Sequence, residues 1–361
     1  MNERVAVAMS GGVDSSVAAA LLVQAGYEVV GLMLRLWSAE ETGRENRCCD
    51  PGAVRLARKV AAQLGIPFHV LDARDPFLRS VVGFFVEGFR EGLTPNPCLA
   101  CNRHVRWGYL RDHARALGAA RLATGHYARA EVRDGRLRLL QAVDLEKDQS
   151  YVLSVLDESD LAETLFPIGR LTKAQVRELA RTLGLPVADR PDSQDLCFLP
   201  NRGYRSFLLP RLPQVFQPGP IVTRSGRLLG EHQGLAAYTI GQRKGIGVSW
   251  SQPLYVLEKD RGHNALVVGP AEELDCRSLG TSEVHWVNGA PPESPLRAQV
   301  KIRYKAPAVP AQIELLPGGD SRVHFDRPVR GVTPGQAAVM YQDDCCLGYG
   351  LIRPEAPRTI F

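Results

Sequence analysis

A strand, a glycine loop and a helix occupy the first two dozen residues, and their junction restricts the chain to few folds. Val5-Ala6-Val7-Ala8-Met9 reads as a short buried strand. Ser10-Gly11-Gly12-Val13-Asp14-Ser15-Ser16 follows at once, and Val17 to Gln24 continues at helical spacing until Gly26 stops it. Adjacent glycines let the backbone approach an anion closely, while the loop amides and the helix N-terminus supply donors and positive potential. Ser10, Ser15 and Ser16 add hydroxyls. No Gly-Lys-Ser/Thr closes the loop, so it is not a Walker loop. The third glycine of the dinucleotide fingerprint is also missing. A plain tight turn would explain Gly11-Gly12 but not the whole Ser-Gly-Gly-X-Asp-Ser set, which points to a nucleotide phosphate.

The rest of the first two hundred residues keeps the same alternation. Val29 to Leu34, Phe68 to Leu71 and Arg121 to Thr124 read as strands, and Pro51 to Leu64 and Arg106 to Leu117 as helices, stopped by Gly65 and Gly118. Strands alternating with helices predict a parallel α/β sheet with right-handed crossovers. Beyond about Pro200 the texture changes. Pro210, Pro213, Pro218, Gly219 and Pro220 crowd together and helical periodicity ends. Short strand-like runs follow at Leu254 to Leu257, Ala265 to Val268, Ala298 to Tyr304, Gln312 to Leu315, Val323 to Phe325 and Ala337 to Tyr341. This spacing predicts two small β-barrels, with a break near Cys276 to Thr281. The expected domains are 1–205, 206–275 and 276–361.

At 361 residues the chain exceeds one compact core, and 45% hydrophobic with 23% charged is a globular composition. No apolar run reaches the length of a membrane span. The glycine loop stands where a cleavable leader would need its apolar stretch, so a cytoplasmic chain with thiol cysteines, acting away from membranes, is expected. The net charge of +5, from 44 basic and 39 acidic residues, is too small to argue for RNA by itself. Only seven of the cations are lysines, and an arginine-rich surface suits bidentate phosphate contacts as well as it suits a compositional bias.

The cysteines narrow the chemistry. Thr94-Pro95-Asn96-Pro97-Cys98-Leu99-Ala100-Cys101-Asn102 is a proline-clamped turn delivering two thiols, and Asp192-Ser193-Gln194-Asp195-Leu196-Cys197-Phe198 supplies a third. A thiolate that carries an extra sulfur as a persulfide is a sulfur donor, and a second thiol within reach can resolve it by exchange. The glycine loop resembles the pyrophosphate loop of the N-type ATP pyrophosphatases. This superfamily activates a carbonyl as its adenylate, and its members range from GMP and NAD synthetases to tRNA-modifying enzymes. With the cysteines, the whole chain resembles the bacterial tRNA-specific 2-thiouridylase family. Further matching stretches are Ala123 to Tyr127, Lys147 to Tyr151, Gly230 to Gly234, Gly241 to Gly245 and Thr333 to Gln336.

That resemblance implies a catalytic α/β domain followed by two β-barrels, and ATP-dependent 2-thiolation of the wobble uridine at tRNA position 34, releasing AMP and pyrophosphate. It implies ATP, with Mg²⁺, on Ala8, Met9, Ser10, Gly11, Gly12, Val13, Asp14, Ser15, Leu34 and Gly125. Cys101 would be the nucleophile and Cys197 the persulfide carrier. Asn96, Pro97 and Cys98 would meet the target base, and Lys147, Asp148 and Gln149 the anticodon region. His126, Arg303, Tyr304 and Gln336 would be further RNA contacts. The implied partners are the tRNAs for Lys, Glu and Gln, and a cysteine desulfurase or sulfur-relay protein as donor. Many family members carry Asp where this chain has Cys98, so an acid–base carboxylate is not transferred to that position. The vicinal pair Cys48-Cys49 has no place in the family's chemistry.

Several features admit two readings. Cys98 and Cys101 with Cys48 and Cys49 could form a tetrathiolate zinc or iron–sulfur site. Cys276, Cys345 and Cys346 read as packing residues. Arg103, Arg106, Arg111 and Arg115, and the cluster Arg129 to Arg138, suit either phosphates beside the chemistry or a solvated face. Alternation would send Lys301, Arg303 and Lys305 to one strand face, open to RNA or merely to water. His69 and His285 read as core or rim residues. An amide-forming ligase and a tRNA-docking protein that only senses ATP are the competing functions.

Overall fold

The computed structural model describes residues 3–37, 51–191, 196–199 and 203–354. Cys48 and Cys49 lie outside these residues. The first sheet holds β1 (Arg4–Ala8), β2 (Glu28–Arg35), β3 (Phe68–Asp72), β4 (Arg121–Thr124) and β7 (Thr164–Leu165) in the order β3-β2-β1-β4-β7. Every pair is parallel, with Ala8 opposite Leu32 on one side and Thr124 on the other. The chain winds outward from β1 to β3 and then returns to lay β4 on the other flank of β1. A crevice therefore opens at the carboxyl ends of β1 and β4, where open α/β sheets bind ligands.

Helix α1 (Val13–Gln24) starts inside the glycine motif, four residues earlier than its apolar run suggested, so Asp14, Ser15 and Ser16 are helical. It buries Val17, Ala18, Ala19 and Ala20, whose small side chains let it pack closely against its surroundings. Helix α2 (Pro51–Leu64) buries Ala53, Ala57, Val60 and Ala61 in the same core.

The turn expected at Thr94 to Asn102 is instead a helix start. Asn96 caps it, its Oδ1 accepting from the Cys98 amide at 3.0 Å, with Pro97 in the first turn. The run continues as a π-helix from Cys101 to Leu110 and as an α-helix from Arg111 to Ala116.

A second sheet, ordered β10-β11-β8-β9, contains β8 (Gly219–Thr223), β9 (Leu228–His232), β10 (Tyr255–Asp260) and β11 (Ala265–Gly269). It packs around Ile221, Val256, Leu266 and Val268.

The last barrel contains β12 (Asp275–Trp286), β13 (Leu296–Lys301), β14 (Val309–Leu316), β15 (Asp320–Arg330), β16 (Ala337–Gln342) and β17 (Cys345–Ile352). Pairing of β12 with both β15 and β17 closes it. Cys276 to Thr281, where a break between the two barrels was expected, lie toward the start of the twelve-residue strand β12. The expected strand Ala298 to Tyr304 ends at Lys301, where the backbone turns, so the alternation of Lys301, Arg303 and Lys305 is not that of one strand face.

One hairpin crosses between the halves of the molecule. Strands β5 (Ala128–Arg133) and β6 (Arg136–Gln141) belong to the N-terminal part of the chain, yet β6 pairs with β17, Leu140 facing Cys345 and Leu139 facing Cys346. Buried hydroxyls add to this seam: Tyr151 donates to the Ala337 carbonyl at 2.9 Å, and the Ser150 and Tyr341 hydroxyls lie 3.1 Å apart.

Candidate active site

The crevice between β1 and β4 holds a cavity of about 460 Å³. Ala8, Met9, Ser10, Gly12, Val13, Asp14 and Ser15 form one wall, Leu34 another, and Gly125 a third. Gly11 turns the loop rather than lining the cavity. Its φ is +71°, a Cβ there would stand 2.4 Å from the Ala53 carbonyl oxygen, and its own carbonyl accepts from Arg190. The loop is braced internally, with the Ser10 amide donating to Ser15 Oγ at 3.2 Å and Ser16 Oγ to the Gly12 carbonyl at 2.8 Å. Gly12 caps α1 without a side chain, leaving the helix's first amides to a ligand. Gly125 must be glycine, since a Cβ would lie 2.5 Å from the Ser15 nitrogen.

Sequence reasoning missed several cavity residues. Lys173 Nζ donates to both carboxylate oxygens of Asp14 at 2.8 Å, and Tyr127 donates to Oδ1 at 2.7 Å. Glu146 and Arg190 also line the cavity, and so do Arg106 and Lys305, two cations the sequence left between RNA contact and solvated face. The Thr172–Gln175 capping box marks the helix start that delivers Lys173, and was the local signal available.

The expected RNA contacts divide. His126, Lys147, Gln149 and Tyr304 line the cavity. His126 is buried, its Nδ1 2.8 Å from Thr124 Oγ1 and its ring 5.7 Å from that of Trp107. Burial, and after it the Arg106 guanidinium, holds its pKa well below the ordinary value, so the imidazole is neutral. Tyr304 is raised to about 12, first by burial and then by the charges of Asp148 and Cys98. Asp148 points inward, accepting from the Ala142 amide at 3.0 Å and the Ser150 hydroxyl at 2.8 Å. Gln336 donates to the Thr94 carbonyl at 2.6 Å, and the Thr94 amide to the Pro334 carbonyl at 2.9 Å, pinning the Asn96–Cys98 segment to the last barrel. Arg303 donates to the Arg330 carbonyl at 3.2 Å.

Cys101 is 6% exposed within a cluster that includes Trp37, Phe85, Phe198 and Phe207, and Cys197 packs against the same cluster. The structure thus brings the two cysteines, 96 positions apart in sequence, to one apolar body beside the β1/β4 cavity. Burial raises the Cys101 thiol above its ordinary value, and Arg106 opposes that rise. Cys346 is fully buried in the last barrel, as a packing residue would be. No group of three or more His, Cys, Asp or Glu residues that could hold a metal occurs among the described residues.

The arginine stripe is largely paired within the chain, with Arg103 and Arg115 still exposed. Arg103 and Arg111 pair with the buried Asp160, Arg115 with Glu163, and Arg106 Nη1 donates to Asn102 at 2.7 Å. Among the described residues no helix is long and apolar enough to cross a membrane.

Comparison with known proteins gives matches along the whole chain. The tRNA methyl transferase HUP domain family matches residues 3–201, the tRNA methyl transferase PRC-barrel domain family 205–270, and the aminomethyltransferase β-barrel domain family 276–352. A protein of Chloroflexus aggregans called tRNA-specific 2-thiouridylase MnmA is 49% identical over 97% of this chain and 99% of its own. One of that name from Heliobacterium modesticaldum is 46% identical, covering 98% and 93%. The solved NMN synthetase of Francisella tularensis is 19% identical with a TM-score of 0.31, covering 53% of this chain and 66% of that one.

Proposed function

This chain belongs to the tRNA-specific 2-thiouridylase family, and we propose that it uses ATP to replace the 2-oxo group of the wobble uridine at position 34 with sulfur held as a cysteine persulfide. It is a tRNA-uridine 2-sulfurtransferase that consumes ATP. The observation that carries the finer reading is the adjacency of a phosphate-binding loop at the β1/β4 crevice to an apolar cluster holding Cys101 and Cys197.

An extruded uridine enters beside the loop, because chemistry on a base edge requires it unstacked. Its 2-oxo oxygen attacks the α phosphate of ATP, the α–β bond breaks, and pyrophosphate leaves. The loop amides and the start of α1 stabilise the developing charge. Lys173 exchanges its contact with Asp14 for the departing phosphates. Mg²⁺ accompanying the nucleotide would take protein oxygens from Asp14 and Glu146, the carboxylates that line the cavity, and would offset phosphate charge.

Cys197 carries the extra sulfur. Either that sulfur attacks C2 and Cys101 then attacks Cys197 Sγ, breaking its bond to the sulfur now on C2, or Cys101 first attacks Cys197 Sγ and releases the outer sulfur as sulfide, which then attacks C2. By both routes AMP leaves with the original oxygen and a Cys101–Cys197 disulfide forms, to be reduced by an external thiol. The substrates are the tRNAs for Lys, Glu and Gln, and a cysteine desulfurase or relay protein in the cytoplasm loads the persulfide.

Mass analysis of nucleosides from tRNA incubated with the protein, ATP and a persulfide source tests the scheme. The expected product is 2-thiouridine with equimolar AMP and pyrophosphate. Cys101→Ser and Cys197→Ser should each abolish it while retaining ATP binding. Full thiolation by Cys197→Ser would overturn the persulfide assignment. An amide-forming ligase would transfer no sulfur, and a docking protein would form no AMP.

A further inference from the structure

The helical run carrying Cys101 changes its winding at that residue. Pro97–Ala100 is α-helical, whereas from Cys101 to Leu110 the amides bond to carbonyls five residues back. In an α-helix the residue beside Cys101 on the next turn would be Val105, an apolar core side chain. The wider winding, with its bonds five residues apart, brings Arg106 onto that turn as well. The guanidinium is fixed there by Asn102, which is fully buried, donates to the Val152 carbonyl at 2.7 Å and accepts from Arg106 Nη1 at 2.7 Å. Arg106 reaches the wall of the nucleotide cavity, while Cys101 faces the aromatic cluster. A cation is thus held between the cavity and a buried thiol.

We propose that Arg106 is a positioning residue for Cys101, placed by the π-helical register to ease ionisation of that buried thiol to the reactive thiolate. A thiolate in apolar surroundings needs a compensating charge. Burial raises the Cys101 thiol, and Arg106 is the charged side chain whose field opposes it. His126 lies under the same guanidinium, and it is neutral and adds no competing charge. The inference rests on Cys101 being the nucleophile.

The test is peptide-resolved alkylation by iodoacetamide of the full-length protein, from neutral to alkaline pH, for wild type, Arg106→Lys and Arg106→Met. The Cys101 midpoint should rise by about one to three pH units in Arg106→Met, the range typical of a lost neighbouring charge, and Arg106→Lys should restore most of it. Cys276, in the distant barrel, should keep its midpoint. An unchanged Cys101 midpoint, a fall in rate equal at every pH, or an equal shift at Cys276 would each overturn the proposal. Thiolation by Cys101→Ser is a separate readout. Should that variant retain activity, the nucleophile assignment fails while the alkylation midpoints still report whether Arg106 governs the thiol.

Discussion

Gly125 sits where strand β4 meets the start of α1, and the space for a side chain there is already taken by the Asp14–Ser15 backbone. Replacing it with alanine must push the loop away from the strand. Overpacking of this kind costs about 1–3 kcal/mol, and here the displaced atoms are the loop amides to which we assign the phosphates. Gly125→Ala should therefore bind ATP at least about tenfold more weakly, as read by calorimetric titration, because a loss of about 1.4 kcal/mol is a factor of ten. Unchanged affinity would show that the loop is not the nucleotide site. The loop's own residues were legible because their chemistry is contiguous: glycines, hydroxyls and a helix start follow one another within Ser10 to Ser16. Lys173 and Arg190 were not, since they reach Asp14 and Gly11 from distant turns of the chain. Asp148 shows the opposite failure. Its motif was visible, but only the fold reveals that its carboxylate is engaged by Ala142 and Ser150.

Among the elements, the β5–β6 hairpin was the one most open to being read and not read as such. Asp134 and Gly135 both have positive φ, 51° and 71°, and an Asp-Gly pair between alternating residues is a strong hairpin signal. The density of arginine there was read instead as suiting either RNA phosphates or a solvated face. Two of those arginines dock the hairpin. Arg133 donates to both carboxylate oxygens of Asp344 at 2.6 and 3.0 Å, and Arg129 donates to Oδ2 at 2.6 Å. Arg133 foremost, then Arg129, holds the Asp344 carboxyl below its ordinary value. A group lowered by folding stabilises above its unfolded pKa, and that contribution disappears as pH falls through the folded value. Asp344→Asn should lower the thermal midpoint by about 2–4 °C near neutrality, the shift expected for a loss of order 1 kcal/mol. The gap to wild type should close below about pH 4, the usual aspartate range. A gap that persisted in acid would assign the effect to packing. The π-helix at Cys101 left no mark in sequence, because its periodicity over so short a run resembles that of the α-helix on either side.

For the whole molecule, the arrangement of charge matters more than its sum. Arginines at 103, 111, 115, 129 and 133 have carboxylate partners within the chain, so the net +5 overstates what an RNA backbone could engage on those faces. Cations that line the cavity are better placed, and Lys305 reaches it from the last barrel. Lys305→Met should weaken tRNA binding and reduce the slope of log affinity against log salt by about 0.7–0.9, the contribution of one phosphate contact. Filter binding over a salt series measures it, and an unchanged slope would remove Lys305 from the RNA surface. The alternation of strand and helix made the N-terminal fold readable. The joining of its hairpin to the last barrel was not, because pairing of β6 with β17 depends on residues far apart in sequence.

That pairing also sets a timetable for the nascent chain. Leu140 leaves the ribosome 345 − 140 = 205 residues before its partner Cys345. At roughly 5–20 residues per second, β6 waits about 10–40 s with an open strand edge. An open edge invites pairing with any other chain, and charged side chains are the usual deterrent. Arg129, Glu131, Arg133, Arg136 and Arg138 give the waiting hairpin that protection. Arg136 and Arg138 stand on the waiting strand itself, and Arg129 and Arg133, which later clasp Asp344, add their charge from its neighbour.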